Sequence, residues 1–301
     1  MQLLFALDRD EKLSYSGAKK TYVENIDSCF ELFIFNLYVI INITRLSVED
    51  AKKRMAKHLI SEEDKKFSAK IFLNETVQSL ENNDILQKKF KKYDFQSKID
   101  KDFLKKVYSD FSKSEEYKKY VFGGTTTNKD DKEILLELYR LCRKDDFFND
   151  VMDDNYNVWI DDKSLVVGTV KKIIKAYPEA DANYFMSFVP DAETIKEFGS
   201  PLLQTCHKEN DTLLGIIKPV LKNWDHERLA IIDMILIKMA LCEMLHFDSI
   251  PTKVTLNEYV EIAKLYSTAK SKDFINGVLD NLMKELKESG AIKKSGRGLE
   301  E

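Results

Sequence analysis

Apolar residues recur at three- and four-residue steps along most of the chain. The longest example runs from about residue 18 to residue 44, and this is the period of an amphipathic α-helix. Its apolar positions at this step are Val23, Ile26, Phe30, Phe33, Leu37 and Ile41. Between residues 30 and 43 only Glu31, Asn36 and Asn42 interrupt the apolar run, which is shorter than the ~20 residues that a membrane span needs. The pattern predicts a helix buried in a protein core.

Short polar pairs that are typical of helix N-termini follow this helix. Ser47 precedes Asp50 by three residues, and Ser61 precedes Asp64 by three residues. In a capping box the first side chain accepts a hydrogen bond from the third backbone N–H of the helix, and the third side chain bonds back to the cap. We therefore predict that one helix starts after Ser47 and another after Ser61.

A stretch from about residue 225 to residue 247 is apolar nearly all round the helix. Asp233, Lys238 and Glu243 are its few interior charges. A helix with this pattern must be covered by other helices on most sides. We predict that it lies at the centre of a helical bundle.

Glycine and proline are scarce, with 10 and 5 residues in a chain of 301. β-rich folds and glycine-cradled nucleotide sites need many turns, so this scarcity favours helices joined by short loops. The predicted fold class is all-α, a multi-helix bundle. The formal charge of −4, from 47 basic and 51 acidic residues, excludes a globally basic nucleic-acid binder but leaves room for a local basic patch.

Residues 88–122 combine eleven lysines and six acids with many aromatic residues. One interpretation is that bases stack on the aromatic rings while the lysines meet phosphates. The other is a set of amphipathic helices whose rings pack inward. Phe103, Val107 and Phe111 recur at four-residue steps, which places them on one helix face. This spacing favours the inward-packed interpretation.

Residues that carry enzyme and metal chemistry are few and far apart. The cysteines are Cys29, Cys142, Cys206 and Cys242, and the histidines are His58, His207, His226 and His246. Their spacing matches no metal or redox motif, and the chain has no familiar catalytic motif. With no signal peptide, we expect a cytoplasmic protein with reduced thiols that is not an enzyme and holds no cofactor or metal.

The clearest loop is Gly-Gly-Thr-Thr-Thr-Asn at residues 123–128. Backbone N–H groups of such a loop can seat a phosphate. Neither a preceding strand nor a motif lysine accompanies it, so a plain connecting loop is the favoured interpretation.

Two further helix starts are predicted in the last third of the chain. Thr255 has a glutamate three residues later, as a capping residue often has, and Ser271 is predicted to cap the next helix. Lys253, Lys270 and Lys272 lie near these starts. Helix N-termini beside lysines suit phosphate oxygens, although lysines taken alone are more often solvated surface charges.

Gly277 falls in the middle of the second of these helices, whose apolar residues Phe274, Val278 and Leu282 step by four. A mid-helix glycine costs about 1 kcal/mol relative to alanine. We predict that another helix packs unusually close to Gly277, which would offset this cost.

The C-terminal motifs resemble the signature of a known family. Residues 250–264 read IPTKVTLNEYVEIAK and residues 271–280 read SKDFINGVLD, which is similar to the NusB family of bacterial transcription antitermination factors. The segments DMILIKMALCEML at 233–245, IKEFGSPLLQTCHKENDTLLGIIKPVLKNW at 195–224 and MQLLFAL at 1–7 fit further helices of that family. The resemblance covers roughly residues 1–10 and 195–286, and the middle of the chain looks like a long insertion.

This resemblance implies a domain organisation. Residues 1–45 would supply N-terminal helices of the NusB-like fold, and residues 46–190 would form a helical insertion. Residues 191–290 would form the NusB-like C-terminal helical domain, and residues 291–301 a flexible tail.

The resemblance also implies a function. The chain would be an RNA-binding transcription antitermination factor that pairs with a small-subunit ribosomal protein, NusE. The pair would bind boxA-type RNA of ribosomal RNA transcripts and help to load an RNA polymerase antitermination complex, without covalent chemistry and away from any membrane.

Site residues follow from the resemblance position by position. Phe5 and Asp233 match positions near the protein partner. The positions that match the RNA-binding segments are Lys253, Lys270, Ser271, Lys272, Phe274 and Asn276. Asn257 belongs to the same motif, but we expect it to be structural. The family's arginine-rich N-terminal arm would precede Met1, and the acid–base pair common in the central helix is replaced here by Asp233-Met234.

Two other functions remain open from the sequence. A NusB-like helical domain also occurs in some ribosomal RNA cytosine methyltransferases, where a methyl-donor domain with a glycine-rich loop and a catalytic cysteine follows. Residues 287–301 contain no such domain, so this alternative is disfavoured. The second alternative is a protein-only interaction scaffold, in which RNA binding has been lost with the basic arm.

Overall fold

The structure, a computed structural model, describes residues 1–221, 230–268 and 270–299. Every regular element in these ranges is helical, and none of these residues lies in a β-strand. The predicted all-α class is therefore confirmed.

Most helices are short and follow one another closely, as the scarcity of glycine and proline predicted. Tyr184–Phe188 and Gly296–Leu299 are 3-10 helices, and Ile195–Gly199 is a turn of π-helix. The α-helices in the described ranges are α1 (Gln2–Arg9), α2 (Tyr15–Met55), α3 (Glu62–Lys66), α4 (Lys70–Leu73), α5 (Glu75–Glu81), α6 (Asp84–Lys92), α7 (Lys101–Ser112), α8 (Glu115–Phe122), α9 (Asn128–Cys142), α10 (Asp146–Asn155), α11 (Trp159–Ala176), α12 (Ala192–Thr194), α13 (Ser200–Lys208), α14 (Asn210–Val220), α15 (Ile231–His246), α16 (Thr252–Tyr266) and α17 (Ser271–Glu288).

The chain divides into two compact units. Unit 1 comprises Met1–Glu24 and Pro190–Glu301, and unit 2 comprises Asn25–Val189. The first boundary of unit 2 lies within α2, and the second follows Val189. The reason is that residues 30–43 pack into the same apolar cluster as helices α7 to α11.

The core of unit 2 forms around the apolar run of α2. Leu32, Phe35 and Val39 are fully buried in one cluster with Phe103 and Trp159. By length and composition alone, α2 is apolar enough to cross a membrane, but most of its apolar window is buried inside the protein. This burial confirms the predicted core helix.

The two predicted helix starts after α2's apolar run have different outcomes. Ser61 caps α3 in a complete capping box with Asp64, as predicted. The predicted start after Ser47 is wrong, because α2 continues to Met55. Ser47 is fully buried and its hydroxyl donates to the carbonyl oxygen of Thr44 at 2.7 Å. A serine whose hydroxyl bonds back into its own helix is tolerated in a helix interior.

The lysine- and aromatic-rich stretch forms α6, α7 and α8, with its rings turned inward. Phe95, Phe103, Phe111 and Tyr117 are buried and belong to the core of unit 2. The inward-packed interpretation of residues 88–122 is therefore confirmed.

The core of unit 1 forms around α15. Leu236, Ala240, Leu241 and Met244 are fully buried among residues from α13, α14, α16 and α17. This confirms the predicted central helix over the part that the structure describes. The segment predicted to precede Ile231, residues 225–229, lies outside the described residues.

Residues 291–299 were predicted to be a flexible tail, but they contact the turn after α15. Lys294 Nζ donates to the carbonyl oxygen of Phe247 at 2.9 Å, and the Ser295 backbone N–H donates to that of Asp248 at 3.0 Å. Gly298 lies so close to Asp248 that an added Cβ would be 2.1 Å from its carbonyl oxygen. Glycine is therefore required for this close approach.

Candidate nucleic-acid interface

Helix α16 begins at Thr252, after Pro251, without a side-chain cap. The predicted cap at Thr255 is therefore wrong by one turn. Proline fixes a φ angle that suits the residue before or at the start of a helix, so the helix starts earlier than the threonine. Thr255 is instead fully buried.

The carboxylate of Glu243 in α15 accepts a hydrogen bond from the hydroxyl of Thr255 in α16. Thr255 Oγ1 donates to Glu243 Oε1 at 2.7 Å, and the Tyr259 hydroxyl donates to Oε2 at 3.1 Å. Burial raises the pKa of the Glu243 carboxyl, and these two hydrogen bonds oppose the rise. The buried carboxyl thus fastens the start of α16, and with it Lys253, to the central helix of unit 1.

Helix α17 begins at Ser271 with Lys270 as its N-cap, and no side chain caps it. The predicted cap at Ser271 is wrong, because its hydroxyl points to the preceding turn. Ser271 Oγ lies 2.9 Å from Ser267 Oγ, to which it donates, and 2.8 Å from Thr268 Oγ1. Ser271 is 5% exposed, so its side chain presents almost no surface to a ligand.

Asp233 is also occupied within the chain. It is 4% exposed, and its carboxylate accepts a hydrogen bond from the Ser267 hydroxyl. The hydroxyl chain Asp233–Ser267–Ser271 therefore ties the first turn of α15 to the first turn of α17. This geometry gives Asp233 a supporting contact inside unit 1, whereas the resemblance implied a contact with a protein partner.

The predicted RNA-facing lysines remain accessible. Lys253 and Lys270 are exposed, and neither makes an ion pair with another described residue. The Lys272 side chain is 44% exposed and lies 4.0 Å from Asp273, which is 82% exposed. Asn276 is exposed as well. The structure thus leaves positive charge available beside both helix starts.

Phe274 is half-buried and packs on the core of unit 1 while bordering a groove of about 730 Å³. We call this the α17 groove. It is lined along α17 by Lys270, Phe274, Gly277 and Asn281, and opposite by Asp233 and Thr268. The steps of four, three and four residues place the α17 side chains on one helix face. The spacing of Asn281 from Lys270 is the sequence signal that places the two residues on one helix face.

The expected close packing at Gly277 is not observed. Apart from its chain neighbours and the nearby backbone of its own helix, no heavy atom of the described residues lies within 4 Å of the place where a Cβ would stand. The glycine instead forms part of the open wall of the α17 groove.

Phe5 lies on α1, and its side chain is partly accessible, with 39% of the residue exposed. Helix α1 packs against α13 and α15 within unit 1. The Phe5 ring is therefore placed at a surface, as a residue that contacts a protein partner must be.

The described residues give little support for a disulfide, a metal site or a phosphate-binding loop. All four cysteines are free thiols, and three of them are buried. No group of three or more metal-ligating side chains occurs in that part of the chain. The loop at 123–127 borders a groove that also carries Glu116, Asp130, Glu133 and Glu137. Carboxylates repel phosphate, so this loop is a poor phosphate site.

Comparison with known proteins assigns a class to the C-terminal part of the chain. Residues 163–284 match the model of the NusB family. The chain therefore carries a NusB family domain, which confirms the resemblance. The match begins in α11 of unit 2 and covers less than half of the chain.

Three curated relatives are named transcription antitermination protein NusB. The one from Chloroherpeton thalassium is 53% identical over 77 residues, which are 26% of this chain and 36% of the relative. The one from Salinibacter ruber is 39% identical over 106 residues, 35% of this chain and 66% of the relative. The one from Clostridium kluyveri is 46% identical over 81 residues, 27% of this chain and 52% of the relative.

The chain thus spans between about a third and two thirds of the length of these relatives. A solved structure of T. maritima NusB is 29% identical, with a TM-score of 0.30, and the match covers 36% of this chain and 78% of that one. A likeness at this TM-score adds nothing to the description of the fold. The three relatives are named as antitermination proteins.

Proposed function

We propose that this chain is a cytoplasmic, RNA-binding transcription antitermination factor. It pairs with the small-subunit ribosomal protein NusE on boxA-type RNA of ribosomal RNA transcripts and acts within an RNA polymerase antitermination complex. The observation that carries the proposal is the 53% identity with a named NusB protein over 77 residues. The proposal includes no catalysis, cofactor, metal or membrane contact.

The surface at the starts of α16 and α17 supports RNA binding. Lys253 and Lys270 are exposed and free of ion pairs with the described residues, so neutralising them against phosphate breaks no ion pair in that part of the chain. Neither helix has a side-chain cap, which leaves first-turn backbone N–H groups without a side-chain acceptor. Such N–H groups favour an anion.

The residues then have distinct roles in the proposal. Lys253, Lys270 and Lys272 contact phosphates, Phe274 contacts a base, and the exposed Asn276 offers an amide to the RNA. Ser271 does not contact the RNA. It is buried and hydrogen-bonded to Ser267 and Thr268, so it holds the first turn of α17 in place.

The protein partner is assigned to the face that carries Phe5. A half-exposed aromatic ring on a helix is typical of the anchors that dominate protein interfaces. Asp233 contributes indirectly, because its carboxylate holds the turn before α17 through Ser267. Substituting Phe5 should therefore weaken partner binding without weakening RNA binding by the chain alone.

Fluorescence anisotropy with labelled boxA RNA tests the proposal. The chain is titrated into RNA with and without the ribosomal partner, and an RNA of scrambled sequence is the control. We expect the partner to increase affinity for boxA RNA by at least about tenfold, which corresponds to about 1.4 kcal/mol. Equal affinity with and without the partner, or for the two RNAs, would contradict the proposal.

The salt dependence gives a second reading. Three lysine–phosphate contacts with a single strand predict that the logarithm of the affinity falls with the logarithm of salt concentration with a slope of about −2. A slope near zero would show that these lysines do not meet phosphates.

A further inference from the structure

Unit 2 contains a small polar pocket, distant in sequence from the proposed RNA-binding residues. Its volume is about 320 Å³, at the lower end of the range of sites that hold small molecules. It is lined by the middle of α2, the end of α5, and α6 with the turn that follows it. Every residue of unit 2 is described, so all side chains that this unit contributes to the pocket are known.

One ion pair is built into the wall of the pocket. Arg45 pairs with Glu81 and also donates from Nη1 to Asn42 Oδ1 at 3.2 Å. A guanidinium group has five N–H donors, so these two contacts leave donors for a further acceptor. The other carboxylate oxygen of Glu81, Oε2, is buried and has no hydrogen-bond partner among the described residues. The pair thus holds a cation in place and still has hydrogen-bonding capacity.

Two further groups of opposite charge line the same pocket. Lys91 and Asp94 are exposed, and neither makes an ion pair with a residue of the described ranges. Lys91 lies in the last turn of α6, and Asp94 lies in the turn after that helix. The pocket therefore presents a cation and an anion that do not neutralise each other, and each is available to a charge on a ligand.

The inner wall of the pocket is apolar. Ile41 is 1% exposed and Phe90 is 6% exposed. The ring of Tyr38 packs edge-on against that of Phe90, with 5.0 Å between the ring centroids. A ligand in this pocket therefore meets an apolar surface behind the charged groups.

The charges of the pocket act together on the Tyr38 hydroxyl. Burial raises the pKa of Tyr38, the positive charge of Arg45 opposes the rise, and the negative charges of Asp94 and Glu81 add to it. One cation and two anions on separate elements therefore lie near a single hydroxyl group.

This combination of groups matches a free α-amino acid. Such a molecule carries a carboxylate and an ammonium group on one carbon atom, so it needs a cation and an anion close together. Guanidinium and ammonium groups form strong charge-assisted hydrogen bonds with carboxylates. A ligand with only negative charge would be repelled by Glu81 and Asp94, and a polyamine would be repelled by Arg45 and Lys91.

We propose that this pocket binds a free α-amino acid, whose carboxylate is held by Arg45 and Lys91 and whose ammonium group is held by Asp94. The side chain of the amino acid lies against the wall formed by Tyr38 and Phe90. The inference assigns a small-molecule ligand to unit 2, and it depends neither on RNA binding nor on the ribosomal partner.

Isothermal titration calorimetry of the full chain with each of the common L-amino acids tests the proposal. We expect at least one of them to bind with a Kd of about 1 mM or tighter. Two derivatives of that amino acid each lack one charge: the carboxamide lacks the carboxylate, and the N-acetyl form lacks the ammonium group. Each should bind at least about tenfold more weakly than the parent, because a charged group of the pocket loses its partner.

Lys91→Gln and Asp94→Asn each remove one charge from the pocket. Both side chains are exposed, and asparagine tolerates the positive φ of 47° at residue 94 as aspartate does, so both variants should fold. Each should bind the amino acid at least about tenfold more weakly. Loss of the ligand carboxylate should weaken binding to Lys91→Gln less than binding to the wild type, because both changes remove the same contact.

Lys88→Gln is the matched control. Lys88 is an exposed lysine of α6 that makes no ion pair with a described residue and does not line the pocket. The variant should bind the amino acid with the Kd of the wild type.

Each other outcome overturns the inference. If none of the amino acids binds at a concentration of about 10 mM, the pocket is not an amino-acid site. Equal binding of the parent and its N-acetyl derivative would indicate a site for a simple carboxylate. Unchanged affinity of Asp94→Asn would show that no ammonium group lies there, and equal affinity of Lys91→Gln and Lys88→Gln would place the binding outside the pocket.

Discussion

Two regions of the molecule combine lysines with aromatic residues, and only one of them offers both to a ligand. In residues 88–122 of unit 2 the rings of Phe103, Phe111 and Tyr117 are sealed in the core. Around α16 and α17 of unit 1, Lys253 and Lys270 are exposed and Phe274 borders an open groove. Lysine and aromatic content alone therefore does not indicate a nucleic-acid site.

The side chains around the rings distinguish the two regions. In unit 2 the rings recur at the helical period and form one inward face, and several lysines pair with acids three residues away, such as Lys105 with Asp102 at 2.9 Å and Lys118 with Glu115 at 3.1 Å. In unit 1 Phe274 begins the same four-residue step, with Val278 and Leu282 buried, but the ring itself is only half-buried and Gly277 leaves space beside it in the α17 groove.

The two regions should differ most in how much the loss of one ring lowers the free energy of unfolding. Phe103 is fully buried, so Phe103→Ala should lower the free energy of unfolding by about 3–5 kcal/mol through loss of burial and a residual cavity. Phe274 is half-buried, and Phe274→Ala should lower it by only about 1–2 kcal/mol. Urea denaturation followed by circular dichroism measures both.

Binding should show the opposite order for the same two variants. Phe274→Ala should weaken boxA RNA binding by about tenfold, while Phe103→Ala, assayed at a temperature where it is folded, should bind as the wild type does. A comparison in which Phe103→Ala loses RNA affinity and Phe274→Ala keeps it would reverse the assignment of the two regions.

Charge reversal should give the next largest effect. We expect the double variant Lys270→Glu, Lys272→Glu to bind RNA on the order of a hundredfold more weakly at low salt. Its salt slope should be smaller by about 1.4. Acidic residues at a helix N-terminus are favourable, so this loss will not come from unfolding of α17.

Lys88→Glu, Lys91→Glu is the matched variant in unit 2, because both lysines are exposed and make no ion pair with a described residue. It should change RNA affinity by less than about threefold. Equal losses for the two double variants would indicate long-range attraction by net charge and not a site at α17.

The smallest predicted effect concerns the buried carboxyl under α16. Burial raises the pKa of Glu243 in the folded protein, so the folded state binds a proton more readily than the unfolded state. The resulting penalty on stability is therefore absent below the unfolded pKa and grows as pH rises through the folded pKa. The stability of the wild type relative to Glu243→Gln should increase as pH is lowered from 7 towards 4.5, as measured by urea denaturation at each pH. A difference that is constant with pH would mean that Glu243 is not the titrating group.

Strongly periodic features could be predicted from the sequence. The apolar run of residues 30–43 could only form a helix that is buried in a core. The helix before residue 247 is apolar nearly all round, so it had to be covered by other helices. The inward face of residues 88–122 followed from the same rule. For these elements local sequence and packing favour the same structure.

Single polar residues were less informative. The sequence predicts a helix cap at Ser47, Thr255 and Ser271. In the structure the Ser47 hydroxyl bonds to Thr44 and the Thr255 hydroxyl bonds to Glu243. The Ser271 hydroxyl bonds to the turn before α17. A hydroxyl bonds to whichever acceptor the fold places nearby, and those acceptors are either in the same turn or far away in sequence. Capping patterns alone do not reveal that competition.

The open space at Gly277 was also beyond prediction. A mid-helix glycine indicates that something approaches the backbone closely, but the pattern does not say whether it is another helix of the chain or a ligand. The boundary of unit 2 within α2 depends likewise on contacts between distant helices. Both required coordinates.

Photocrosslinking tests the central claim most directly. Labelled boxA RNA with 4-thiouridine substitutions is irradiated in complex with the full chain and the ribosomal partner, and the crosslinked residues are identified by mass spectrometry. We expect crosslinks at the start of α16 and along residues 270–281 of α17, with none concentrated in residues 88–122. Crosslinks confined to residues 88–122 would contradict the assignment of RNA binding to unit 1.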